Sequence, residues 1–178
     1  MTIDEREQVR LEGDGLVLRE WRDSDVPLMV GLFDNPEVAY WTPLVSPFDL
    51  AAAQAYLETA RRTAEIGDRV QLAITVDGEE PLGEVLLSRS HNSLGYAIGP
   101  AHRGQALASR ALRLLTDYAH RVAGIKQVIL EIEADNAGSV AVAKAAGYVL
   151  TERDPVVVVD KGRTCTLYVW EHLSGFGR

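Results

Sequence analysis

Several residue types that would mark a specialised class of protein are scarce or missing in this sequence. Cys165 is its only cysteine and cannot form an internal disulfide, and no cluster of cysteines and histidines has metal-ligand spacing. No apolar run approaches the roughly 20 residues that cross a bilayer. The formal net charge is -8, so the chain lacks the excess of basic residues that binding to nucleic-acid phosphates requires. We therefore expect no metal, no membrane association and no nucleic-acid partner.

The first residues of the chain also lack the features of a targeting segment. The stretch MTIDEREQVRLEGDG is polar and charged, which predicts neither a signal peptide nor an anchor. We expect a flexible tail at residues 1–14, one domain at residues 15–174 and a cytoplasmic protein. Cys165 lies in an apparent strand and is expected to be a small core residue. The oligomeric state is left open between monomer and homodimer.

The sequence does contain an ordered succession of strand, loop, helix and strand at its centre. Residues 94–98 form a short strand that ends at the breaker pair Gly99-Pro100, and apolar residues follow at helical spacing from 107 to 122. Further strands are predicted at 16–19, 70–76, 82–87 and 128–132 and in a hairpin at 156–170, with helices at 24–32 and 47–66. The predicted fold class is α/β (α+β), a mixed, largely antiparallel sheet with helices on both faces.

The loop before the long helix is the segment that suggests chemistry. It reads Arg103-Gly104-Gln105-Ala106-Leu107-Ala108-Ser109. Small residues at this place let an anion approach the unpaired N–H groups and the positive end of the helix dipole. Tight packing of a strand against a helix explains small residues equally well, so the loop alone leaves both interpretations open.

This loop resembles the coenzyme-A-binding loop of the GNAT family of N-acetyltransferases. That family carries Arg or Gln, two residues, Gly, one residue, then Gly or Ala, and this chain has Ala106 in place of the glycine. A second similarity is an asparagine after the next strand, here Asn136, followed by a helix that closes in Gly147-Tyr148. The resemblance extends over nearly the whole chain and is closest to the ribosomal-protein N-acetyltransferase, or Rim-type, branch.

The resemblance implies a single GNAT-like domain whose sheet of about seven strands contains a splayed central parallel pair. Coenzyme A would lie in the gap between these two strands. The backbone of Tyr96, Ala97 and Ile98 would pair with it, Asn136 would hold it from the other side, and residues 103–109 would contact its phosphates. Acetyl-CoA would be the co-substrate, an amine would be the acceptor, and no metal would take part.

The resemblance also suggests catalytic residues, each with a structural alternative. Many members have a tyrosine as general acid seven residues after the asparagine, where this chain has Ala143. Ser139 matches a serine typical of the Rim-type branch and would hydrogen-bond the leaving thiolate, unless it only caps or packs in its helix. Glu131 matches a strand glutamate that some ribosomal-protein N-acetyltransferases use as general base. Glu84 is a rival, because alternation puts it on an apolar strand face; solvated side chains or a chain of waters are the alternatives for both.

Two aromatic residues, Tyr40 and Trp41, are candidates for lining the acceptor groove, and aromatic core packing is the competing explanation. The predicted function is direct transfer of an acetyl group from acetyl-CoA to a primary amine. The amine belongs either to a protein N-terminus or to a small molecule. The alternative is a catalytically silent acyl-CoA-binding or regulatory module, suggested by the missing tyrosine and by Ala106.

Overall fold

A nine-stranded sheet runs through residues 8–175, the part of the chain that the computed structural model describes. Its strands are β1 (Arg10–Gly13), β2 (Leu16–Glu20), β3 (Arg69–Thr75), β4 (Gly83–Ser88), β5 (Ser93–Ile98), β6 (Gln127–Glu133), β7 (Val149–Leu150), β8 (Val156–Asp160) and β9 (Arg163–Leu173). The strand order is β1-β2-β3-β4-β5-β6-β9-β7, and β8 also pairs with β9. Only the β5–β6 pair is parallel. The mixed, largely antiparallel sheet expected from the sequence is confirmed, and the strands beyond the expected seven are β1 and β7.

Five helices among the described residues cover both faces of this sheet. They are α1 (Val26–Phe33), α2 (Pro36–Trp41), α3 (Leu50–Glu65), α4 (Leu107–Arg121) and α5 (Ala137–Ala145). The core on one face includes the apolar stripe of α4, with Leu112 and Leu115 fully buried. The core on the other face is formed largely by α1 and α3 around Phe33 and Phe48. Truncating a buried leucine of this kind to alanine costs about 2–5 kcal/mol. No helix within residues 8–175 is long and apolar enough to cross a membrane.

Strand β3 is more deeply buried than its alternating sequence suggested. The pattern predicts a half-buried strand, yet Leu72 and Ile74 on one face and Ala73 and Thr75 on the other are all buried. The reason is its central place, because β2 and β4 flank it and helices cover both faces of the sheet. Alternation therefore separates the two cores here and does not separate core from solvent.

The expectation of a flexible tail at residues 1–14 was wrong for the second half of that segment. Strand β1 occupies Arg10–Gly13 and pairs antiparallel with β2, with Leu11 opposite Leu18. One apolar residue among charged neighbours gives a weak strand signal, and the pairing depends on a partner strand that follows a tight turn. Residues 1–7 of the expected tail lie outside the described residues.

Two helices differ from the sequence prediction: α2 was not expected, and α3 begins later than the expected residue 47. Asn35 caps α2 by accepting a hydrogen bond from the N–H of Glu37 at 2.9 Å. Helix α3 begins at Leu50, because Asp49 caps it through the N–H of Ala52 at 2.9 Å. Phe48, which was expected inside this helix, is instead buried in the loop before it.

The predicted hairpin at the C-terminal end of the chain is confirmed. Lys161 and Gly162 connect β8 and β9 with φ angles of 48° and 75°, the left-handed conformation that a tight two-residue hairpin requires. The hairpin lies beside β6, because β9 also pairs with β6 along its length. This arrangement places the start of β9 next to the open end of the parallel strand pair.

Candidate active site

The parallel strands β5 and β6 separate almost immediately after they meet. Only Ser93 and Ile129 are in register, although each strand continues for several residues. On its other edge β5 pairs with β4 along its full length, from Ser93 to Ile98. The backbone groups of β5 that face β6 are therefore left without a ladder partner beyond Ser93. The splayed pair expected from the resemblance is present.

A cavity of about 500 Å³ opens over this gap, and we call it the loop-side cavity. It brings together most of the residues proposed for coenzyme A: Tyr96, Ala97, Ile98, Arg103, Gly104, Ala106, Leu107, Ala108 and Asn136. Two proposed residues do not line it. Gln105 is exposed on the loop, and Ser109 is buried with its Oγ donating to the Ala106 carbonyl at 3.2 Å.

The loop ends in a backbone conformation that explains the departure at Ala106. This residue is the N-cap of α4 and has a φ of 53°, in the left-handed region that glycine adopts without strain. For alanine, that conformation is less stable than the right-handed one by about 1–2 kcal/mol. Its side chain makes no capping hydrogen bond. The first N–H groups of α4 therefore lack both an intrahelical partner and a side-chain cap, and they are directed toward this cavity with the positive end of the dipole.

Arg103 is the charged group of the loop, and it already has a partner. Its guanidinium lies 2.6 Å from the Glu37 carboxylate of α2, and both side chains are largely exposed. An exposed ion pair of this kind contributes little to stability, so an anion in the cavity can replace Glu37 as the partner of Arg103.

A second cavity, of about 340 Å³, opens on the other side of the same gap, and we call it the hairpin-side cavity. Tyr40 and Trp41 at the end of α2, and Arg163 and Cys165 at the start of β9, form part of its wall. The acids Glu84, Glu131, Glu133 and Asp160 also line it, so acidic side chains outnumber basic ones. Cys165 is buried as expected, but it lies at this cavity and not in the closed core.

Glu84 is held in a fully partnered, buried position at this cavity. Trp21 Nε1 donates to its carboxylate at 2.9 Å, the Tyr56 hydroxyl at 2.5 Å and Gln71 Nε2 at 3.3 Å. Only 2% of the residue is exposed. Burial raises the pKa of Glu84, and the three donors oppose that rise. Such a carboxylate orients its donors well and has little room for a fourth partner.

The two glutamates of β6 at this cavity differ sharply in their partners. Arg163 donates to both oxygens of Glu133, and this ion pair lowers the pKa of Glu133. The same guanidinium lies 4.0 Å from the centre of the Tyr40 ring, and Tyr40 packs edge-to-face against Trp41. The side chain of Glu131 is exposed and makes no ion pair or hydrogen bond with any group in residues 8–175. It is therefore the β6 carboxylate that is free to meet another molecule.

The two cavities meet at six residues that line both of them. These junction residues are Trp41, Thr42, Tyr96, Ala97, Asn136 and Ser139. Asn136 caps α5 by accepting from the N–H of Ser139 at 3.1 Å. The Tyr96 hydroxyl donates to the Ser139 carbonyl at 3.4 Å and also interacts with the Ser139 side chain. Sequence reasoning considered only the backbone of Tyr96 and missed Thr42, which carries no motif signal.

The donor set of the site suits an organic anion and not a metal. Within residues 8–175, no group of three or more histidine, cysteine or acidic side chains could hold a metal ion. The open N–H groups of α4, Arg103 and the unpaired backbone of β5 are all hydrogen-bond donors or amide groups. They fit phosphate groups at one end of the loop-side cavity and an amide-bearing chain along the strand gap.

Comparison with known proteins agrees with this geometry. Residues 15–149 match the family model described as an acetyltransferase (GNAT) domain. This match covers well over half of the chain, and the chain belongs to the GNAT family of acetyltransferases. No curated protein matches the sequence significantly.

Solved structures show the same fold at low sequence identity. RimJ of Mycobacterium smegmatis, in complex with CoA-disulfide, has a TM-score of 0.77 at 17% identity, covering 94% of this chain and 87% of that one. Ribosomal-protein-S5-alanine acetyltransferase of Vibrio fischeri has a TM-score of 0.78 at 15% identity, covering 94% and 98%. The microcin C7 self-immunity acetyltransferase MccE, in complex with acetyl-CoA and AMP, has a TM-score of 0.78 at 14% identity, covering 91% and 94%.

Proposed function

We propose that this acetyltransferase moves an acetyl group directly from acetyl-CoA to a primary amine. The observation that carries the proposal is the pair of cavities that meet at the splayed ends of β5 and β6. One cavity offers donors for an anionic cofactor and the other offers carboxylates for a cationic acceptor. Two molecules bound in them would meet at the junction residues, which is the proximity that a direct transfer needs.

The loop-side cavity is the proposed site of coenzyme A. The N–H groups at the start of α4, together with Arg103, would take its phosphates. The open backbone of Tyr96, Ala97 and Ile98 would pair with the amide-bearing arm, and Asn136 would border that arm on the α5 side. When bound there, acetyl-CoA supplies a thioester that is already activated for acyl transfer. A net acidic protein can bind this anion because the donors are local.

The hairpin-side cavity is the proposed site of the amine. Its excess of carboxylates favours a cationic ligand, and an ammonium group must lose a proton before its nitrogen can attack a carbonyl. We assign this proton to Glu131, which is exposed and unpartnered within residues 8–175. Glu84 is assigned a supporting role, because its oxygens already accept from Trp21 and Tyr56. The hydroxyl of Ser139 would hydrogen-bond the leaving sulfur.

The acceptor is either the amine of a protein N-terminus or the amine of a small molecule. The Vibrio fischeri relative is a ribosomal-protein-S5-alanine acetyltransferase, which makes ribosomal proteins the first protein acceptors to test. The test is release of free thiol from acetyl-CoA in the presence of ribosomal proteins, amino acids and polyamines, with mass spectrometry of each product. We expect an acetylated amine and stoichiometric thiol. Binding of acetyl-CoA without thiol release across the panel would favour the silent acyl-CoA-binding module instead.

A further inference from the structure

The junction between the two cavities contains a single side chain that can give up a proton in the range of a thiol. Of its six residues, only Tyr96 titrates: a phenol has an ordinary pKa near 10, and a thiol has one near 8.5. The Ser139 hydroxyl, the Asn136 amide and the Trp41 indole stay protonated at any working pH. Ala143, which is fully buried in α5, offers no polar group.

The other junction hydroxyls are less suited to donate a proton. Thr42 Oγ1 donates to the Val38 carbonyl at 2.7 Å, so its proton is committed to the end of α2. Tyr96, by contrast, holds the Ser139 carbonyl at 3.4 Å, beyond the usual length of an O–H···O hydrogen bond. A better acceptor placed at the junction would take this proton from a weak partner.

The fold also keeps the Tyr96 ring in place and its hydroxyl protonated. The residues before and after Tyr96 in β5 are paired with β4, and the Tyr96 ring packs against the core formed with α4. Burial raises the pKa of Tyr96, so the phenol is neutral at physiological pH. The hydroxyl reaches across the gap between β5 and α5, where the arm of coenzyme A is proposed to pass.

We propose that the Tyr96 hydroxyl is the proton donor to the sulfur that leaves acetyl-CoA. The inference rests on the proposed function. The amine nitrogen forms a bond to the acetyl carbon, the carbon–sulfur bond breaks, and sulfur keeps its electron pair. Tyr96 Oη then gives its proton to sulfur, while Glu131 takes a proton from the acylated nitrogen. Glu131 has by then passed the proton of the acceptor's ammonium to solvent. The phenolate regains its proton from protonated Glu131 through water in the joined cavities, so that one ammonium and one acetyl-CoA give one amide, one free thiol and one proton released to solvent.

The first test compares Tyr96→Phe with the matched control Tyr148→Phe. Tyr148 is a buried tyrosine whose hydroxyl is hydrogen-bonded like that of Tyr96, 2.6 Å from Thr116 Oγ1, but it lines neither cavity. We expect Tyr96→Phe to lower kcat by about 10²-fold or more with an unchanged KM for acetyl-CoA, as loss of a general acid does. Tyr148→Phe should keep the wild-type kcat. A Tyr96→Phe enzyme with wild-type kcat, or with only KM altered, overturns the assignment.

The second test needs no turnover and measures binding of coenzyme A against desulfo-coenzyme A, which lacks the sulfur. Contact between Tyr96 Oη and sulfur should make wild type bind coenzyme A about threefold to tenfold more tightly, the range of one hydrogen bond. Tyr96→Phe should discriminate less than wild type, keeping only the part that Ser139 contributes, while Tyr148→Phe should discriminate as wild type does. Equal discrimination in Tyr96→Phe and wild type overturns the contact. If wild type releases no thiol with any amine or with water, the proposed function fails and this inference falls with it.

Discussion

Arg163 holds both carboxylate oxygens of Glu133, at 2.6 and 2.8 Å, and so joins the β8–β9 hairpin to strand β6. Arg163 also donates to the Tyr40 carbonyl at 2.7 Å, which ties the hairpin to the end of α2. The hairpin therefore forms a fixed wall of the hairpin-side cavity. It neutralises one glutamate of β6 and leaves Glu131, two residues earlier, as the reactive candidate.

Glu131→Gln should lower kcat by about 10²-fold or more, because the ammonium of the acceptor loses its proton acceptor. Raising the pH should recover part of the rate, since a larger fraction of the amine is then already neutral. The measurement is the pH dependence of thiol release for wild type and variant. Glu152→Gln, an exposed glutamate after β7, is the matched control and should behave as wild type. An unchanged rate in Glu131→Gln would transfer the role to a water chain or to Glu84.

Glu84→Gln should mainly affect stability. The amide can accept from only one side, so the Trp21 indole or the Tyr56 hydroxyl is left without its buried partner. An unsatisfied buried group costs about 1–3 kcal/mol, which urea unfolding would measure as a lower midpoint. At 25 °C the folded variant should keep a kcat within about tenfold of wild type. A loss of kcat as large as that of Glu131→Gln, with little change in unfolding, would instead make Glu84 the base.

Cys165→Ser should keep the wild-type kcat, because the proposed transfer is direct and forms no acyl-enzyme. The test is informative because Cys165 lines the hairpin-side cavity, the proposed acceptor site. Intact mass measured after mixing the enzyme with acetyl-CoA should show no added acetyl group. A dead Cys165→Ser enzyme, together with an acetylated wild-type protein, would contradict direct transfer.

Stability should fall between pH 7 and pH 5 because of a histidine pair far from the cavities. His120 Nε2 lies 2.9 Å from His172 Nδ1, and burial together with the charge of His120 lowers the pKa of His172. In this window the unfolded chain binds more protons than the folded one, so acid favours unfolding below the ordinary histidine pKa near 6.5. Carboxylates titrate lower, near pH 4.

The check is urea unfolding of wild type and His172→Gln at pH 7.5 and 5.5. The variant should lose less stability than wild type on going to the lower pH, whatever its stability at pH 7.5. His91→Gln, at an exposed histidine, serves as control and should keep the wild-type pH dependence. The same fall in His172→Gln as in wild type would show that other groups cause it.

Local patterns predicted the central part of the fold because they depend on near neighbours. Apolar residues at helical spacing identified α4, and the Lys161-Gly162 pair identified the hairpin. Strand β1 was missed because its evidence lies in the pairing of Leu11 with Leu18, which follows from the turn between them. The start of α3 was placed three residues too early, because Asp49 caps the helix and Phe48 is buried in the loop before it.

The candidate site also contains residues that the sequence predicted and residues that it missed. The loop at residues 103–109 and Asn136 have motif spacing, so a sequence can reveal them. The partners of Glu84 cannot be read from it, because Trp21, Tyr56 and Gln71 come from three separate parts of the chain. Tyr96 appeared only as strand backbone, since its hydroxyl becomes relevant once β6 diverges and α5 lies opposite.

The most direct test of the account is thermal unfolding with and without acetyl-CoA, for wild type, Ala106→Asp and Ala106→Asn. Asp and Asn tolerate the left-handed conformation of residue 106, so both variants should fold. Saturation at 100 times the Kd should stabilise wild type by about 2.7 kcal/mol, and Ala106→Asn should keep a substantial part of that gain. Ala106→Asp should lose the gain, because its charge lies beside the proposed phosphate site. No acetyl-CoA shift in wild type, or the same shift in all three proteins, would contradict the account.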